Sequence, residues 1–76
     1  MKLIANILSE IRPEYDFTAS HDFIGEGMLD SFDIVTLVSA LEKNYSICIR
    51  GTDIVPEHFQ NEAAIQSLLK SYGVCL

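Results

Sequence analysis

The sequence predicts an all-α fold, a small four-helix bundle of three longer helices plus one short helix. Three observations lead there. Apolar residues recur at helical spacing in three separate segments, and capping or breaking residues stand at the segment ends. No stretch alternates for long enough to seed a sheet. The 76 residues make one small domain, residues 1–76, which buries only about 60% of the surface its unfolded chain exposes.

In the first helix Leu3, Ile4, Ile7, Leu8 and Ile11 share a face, with Asn6, Ser9 and Glu10 between them. Pro13 stops it, because the residue before a proline is pushed out of helical geometry. Residues 14–29 keep no period, and Gly25 and Gly27 break them. They read as a long ordered loop, pinned by Phe17, Phe23 and Ile24. Such a loop in so small a domain is usually functional.

A second helix begins near Asp30. Ile34, Leu37, Val38, Leu41 and Tyr45 form its buried stripe, which Phe32 and Val35 are expected to broaden. Asp30 can cap the free N–H groups, and Asp33 suits the positive end of the dipole. The helix ends at Asn44-Tyr45-Ser46. Ile47-Cys48-Ile49 is too short to be a strand, and Arg50-Gly51-Thr52-Asp53 turns the chain. Val55-Pro56-Glu57-His58-Phe59 suits a short helix with Pro56 in its first turn, and His58 is expected at the surface. Asn61 caps a last helix carrying Ile65, Leu68, Leu69 and Tyr72 on one face, and Gly73 ends it.

Composition narrows the function. At 49% hydrophobic and 21% charged, the chain has the balance of a globular protein rather than a disordered one. Eleven acids against five bases give a net charge of -6, which opposes nucleic-acid binding and docking on anionic membranes. Six of those acids, Glu14, Asp16, Asp22, Glu26, Asp30 and Asp33, fall between residues 14 and 33, where there is no Lys or Arg. A macromolecular partner should therefore present a basic face. Cys48 and Cys75 are 27 positions apart (75 − 48) without metal-ligand spacing, and are expected to be reduced, packed thiols. The apolar start is broken by Asn6, ends in Glu10 and has no cleavage site, so a cytoplasmic protein is expected.

No catalytic constellation emerges. His21 and His58 have no metal-ligand spacing, and phosphate loops, nucleophile elbows and paired metal-binding histidines are missing. One run stands apart: Gly27-Met28-Leu29-Asp30-Ser31-Phe32-Asp33, where the long loop meets the second helix. It sets a hydroxyl on the first helical turn, after a glycine and among acids. The ordinary role of Asp30 or Ser31 at such a place is an N-cap.

In its wider setting this run resembles the motif of the acyl carrier protein family, the phosphopantetheine-binding four-helix domains. The family motif is Asp-Ser and a large apolar residue at the start of the second helix, here Asp30-Ser31-Phe32. The likeness covers nearly the whole chain: the first helix before a long loop, Asp22-Phe23-Ile24, a second helix over 34–42, Ile54-Val55-Pro56-Glu57-His58-Phe59, and Ala64-Ile65. Thr36 and Ser39 depart from it, standing where fatty-acid carriers commonly have an acid and a methionine.

The resemblance implies a carrier rather than an enzyme, with 4′-phosphopantetheine attached covalently to Ser31 and holding acyl or aminoacyl groups as thioesters. Asp30, Phe32, Asp33 and Glu42 would meet partners, with core packing as the other reading of Phe32. Phe23, Ile54, Phe59, Ala64 and Leu68 would line the interior. The implied partners are a phosphopantetheinyl transferase (a holo-carrier synthase), an acyl- or aminoacyl-activating ligase and downstream acyl-processing enzymes. A monomer with no nucleic acid, metal or membrane insertion is expected. The departures point to a specialised stand-alone carrier, with D-alanyl or another aminoacyl or peptidyl cargo as one alternative. An acidic helical interaction module without an arm is the alternative from another class.

Overall fold

The computed structural model describes residues 4–74. Three α-helices form: α1 (Ile4–Ile11), α2 (Ser31–Tyr45) and α3 (Glu62–Ser71). Three single 3₁₀ turns stand between them, at Phe17–Ala19, Gly51–Asp53 and Pro56–His58. No strand occurs among the described residues. The predicted short helix is thus one 3₁₀ turn, with Pro56 in the position where its missing N–H costs nothing. Leu3 and Cys75 lie outside the described residues.

The helix α1 packs against α2, α3 and the Phe17–Ala19 turn, and α3 packs against the Pro56–His58 turn. One cluster fills the space between them. Ile4, Ile7 and Leu8 come from α1, Ile34, Leu37, Val38 and Leu41 from α2, and Ile65, Leu68 and Leu69 from α3. Phe17, Phe23, Met28, Leu29, Ile49 and Phe59 close it from the loops. Phe23, Phe59 and Leu68 are buried as expected, while Ile54 and Ala64 are half-buried at its margin.

Two expectations for α2 fail together. Phe32 and Val35 do not broaden the buried stripe; they are 82% and 61% exposed. At about 100° per residue, Phe32 lies about 200° round the helix from Ile34 and Val35 about 100° from it. Leu37, Val38 and Leu41 cluster on the Ile34 side, so the two others face away.

The long loop is ordered by backbone hydrogen bonds, within it and to Gln60, and by aromatic packing. Phe23 donates its N–H to the Gln60 carbonyl at 2.6 Å and accepts from Met28 and Leu29 at 2.8 and 3.1 Å. Its ring meets Phe17 edge-on, centroids 5.0 Å apart, a favoured aromatic geometry. Ile24, expected as a pin, is half-buried.

The helix α2 ends where Ser46 turns left-handed at φ 55°. The N–H groups of Ser46 and Ile47 both reach the Glu42 carbonyl. The chain then runs without regular structure through residues 47–50, and alternate side chains point oppositely there. Ile49 is buried and Cys48 exposed, so the expectation of a packed thiol at Cys48 is corrected. His58, expected at the surface, is half-buried. Tyr72 ties the far end together: its hydroxyl donates to Asp53 and accepts from the Arg50 N–H at 3.0 Å.

Candidate functional site

Asp30 is the N-cap of α2, in extended backbone conformation. Its carboxylate accepts the Asp33 N–H at 2.9 Å, and the Asp33 carboxylate accepts the Asp30 N–H at 3.2 Å. This reciprocal capping box satisfies two of the donors that a helix start leaves free. Those bonds favour the charged form of Asp30, so its pKa is lowered, first by the Asp33 N–H and with a smaller contribution from Arg12.

Capping by Asp30 leaves Ser31 unused by the fold. Ser31 is the first residue of α2, it is exposed, and its hydroxyl has no partner among the described residues. Beside it lies a shallow groove of about 290 Å³ lined by Ser31, Phe32 and Val35. A hydroxyl free of hydrogen bonds thus stands at the rim of a small apolar surface.

The approach to Ser31 is set by a tight sequence of turns. The Gly25 N–H donates to Asp22 Oδ1 at 2.9 Å, and Gly25 sits so close that a Cβ there would collide with the Asp22 carboxylate. Gly27 turns left-handed at φ 75°, which glycine adopts without steric cost. Met28 and Leu29 are then buried, anchoring the loop immediately before the cap.

Arg12 is the residue that sequence reasoning missed. It lies 21 positions from Asp33, yet its Nε donates to Asp33 Oδ2 at 2.9 Å. Its NH2 nitrogen reaches the same oxygen at 2.9 Å and Asp30 at 3.7 Å, while its NH1 nitrogen stands 3.5 Å from Glu14. The Asp33 hydrogen bond leads the causes that raise the Arg12 pKa. No local pattern announces this. Only the packing of α1 on α2 brings the cation over the helix start.

The four residues expected to meet partners are placed unequally. Asp30 and Phe32 are exposed beside Ser31, with the Asp30 side chain 64% accessible. The Asp33 side chain is only 13% accessible, turned toward Arg12. Glu42 is half-buried about 16 Å along the helix from Ser31, and its carboxylate accepts the Ile49 N–H at 2.8 Å. No group of three His, Cys, Asp or Glu converges as a metal-ligand set among the described residues. No helix among them is long and apolar enough to cross a membrane.

No protein-family model matches the chain, and no curated protein or solved structure resembles it significantly.

Proposed function

We propose that the protein is a small carrier of acyl-carrier type, with Ser31 as the attachment point for 4′-phosphopantetheine. The observation that carries this reading is the free hydroxyl of Ser31: exposed, on the first turn of α2, and relieved of capping duty by Asp30. The surroundings fit the group. Ser31 lies at the positive end of a 15-residue helix, which favours a phosphodiester, and Arg12 offsets the charge of Asp30 and Asp33. When bound, the arm supplies a thiol that holds the cargo as a thioester.

The chain's own residues present the hydroxyl. In loading, the Ser31 oxygen forms a bond to the phosphorus of coenzyme A that bears the pantetheine. The bond from that phosphorus to the nucleotide breaks, adenosine 3′,5′-bisphosphate leaves, and the hydroxyl proton passes to the transferase. The protein then acts as a cytoplasmic, monomeric substrate of enzymes rather than as an enzyme. Asp30 and Phe32 form the partner-facing set, to which Asp33 and Glu42 add charge from half-buried positions. The partners are the transferase, an acyl- or aminoacyl-activating ligase and acyl-processing enzymes. Cargo is acyl or aminoacyl, D-alanyl among the candidates.

The exposed pair Phe32 and Val35 would equally serve an interaction module with no arm. One measurement separates the two. Incubation with coenzyme A and a broad-specificity phosphopantetheinyl transferase should add one arm to the intact mass, and Ser31→Ala should gain none. An unchanged wild-type mass would exclude the carrier reading and leave the interaction module.

A further inference from the structure

We infer that Arg12 is a specificity-determining residue, an internal counter-ion that sets how negative the surface around Ser31 is to an approaching basic partner. The inference rests on the carrier reading above and goes beyond it. By sequence position, the six acids of residues 14–33 carry the whole formal charge, and the remaining five acids and five bases cancel. The fold redistributes that balance. One of the five bases, Arg12, leaves the compensated remainder and lies against three of the six acids, Glu14, Asp30 and Asp33.

The three contacts are not equivalent. Asp33 takes two guanidinium nitrogens at 2.9 Å and is mostly shielded from solvent. Asp30 and Glu14, at 3.7 and 3.5 Å, keep accessible side chains. Arg12 therefore neutralises the inner carboxylate and leaves the outer two readable. At an exposed rim, charge acts on association more than on the lifetime of a complex. The consequence should appear in how readily a basic partner finds Ser31, and it should fade with salt.

Two substitutions break the same ion pair with opposite effects on charge. Arg12→Gln removes a positive charge, and Asp33→Asn removes a negative one. Loading by a holo-carrier synthase with a basic docking face, with coenzyme A, should be followed at about 0.01 M and about 0.15 M salt, where the Debye lengths are about 30 and 8 Å. At low salt Arg12→Gln should lower the KM for the carrier about two- to four-fold, and Asp33→Asn should raise it by a similar factor. Arg12→Lys should stay near wild type, and the differences should shrink at the higher salt. Circular dichroism reports whether each variant is folded.

A purely structural ion pair predicts the same direction for both variants. KM values that rise together, or that do not move, would overturn the inference while leaving the carrier reading intact. Failure of the wild-type protein to accept any arm would overturn the carrier reading itself, and the inference with it.

Discussion

Asp30 and Asp33 each hold the other's backbone N–H at the start of α2, at 2.9 and 3.2 Å, so one helix end is closed by two carboxylates. The arrangement explains how Ser31, standing between them in sequence, is left without a capping role. Capping and charge fall to Asp30 and Asp33, and the proposed attachment falls to Ser31, all within a span of four residues.

Acid should undo this cap. The hydrogen bonds lower the Asp30 pKa from its unfolded value. Its contribution to stability is therefore complete above about pH 4 and is lost as pH falls through the lower folded value. Asp30→Asn retains an N-cap oxygen without the titration. Thermal melts across that acid range should fall less steeply for Asp30→Asn than for wild type, and Asp30→Ala should melt lower at pH 7. Parallel acid profiles of Asp30→Asn and wild type would show that another carboxylate governs the loss.

Ser31→Ala should leave stability within about 0.5 kcal/mol of wild type, the usual range for a surface change that removes no structural contact. A helix cap would cost more, about 1 kcal/mol. Urea unfolding decides this independently of any loading assay. A loss near the larger figure would mean that the hydroxyl caps α2 in solution, against its free position here.

Much of this was legible in the sequence. The periods of Ile4, Ile7 and Leu8, of Ile34, Leu37, Val38 and Leu41, and of Ile65, Leu68 and Leu69 all mark buried faces. The caps Asp30 and Asn61 stand where the pattern put them. The apolar character of Phe32 and Val35 suggests a broader buried stripe, but the helical angle turns both outward; for Phe32 this leaves the outward of its two readings. Arg12 was hidden for a different reason. Its partner is 21 residues away, and an ion pair between packed helices leaves no trace in local spacing. The acidity around Ser31 was legible, and its partial neutralisation was not.

The outward position of Phe32 predicts a sharp contrast with Phe59. Phe32 is 82% exposed and Phe59 fully buried. Phe59→Ala should cost about 3–5 kcal/mol through lost burial and the cavity left behind, enough to unfold much of a domain of marginal stability. Phe32→Ala should stay within about 0.5 kcal/mol and, if the proposed carrier reading holds, raise the KM of a phosphopantetheinyl transferase for the protein. Equal denaturation midpoints for the two variants would contradict the burial seen here.

Gly25 and Asp22 should behave as one unit. The Gly25 N–H donates to Asp22 Oδ1 at 2.9 Å, and an added Cβ would occupy the space of that carboxylate. Gly25→Ala must therefore swing Asp22 away, which breaks the bond that Asp22→Ala deletes directly. Each change should cost about 1 kcal/mol, the net worth of one such hydrogen bond. The double variant should cost much less than their sum, because after either change the contact is already gone. Urea denaturation of the four proteins in this cycle measures the coupling. Additive costs would mean that the carboxylate does not hold the turn, and that the loop before Ser31 is ordered by its other contacts, those of Phe23 among them.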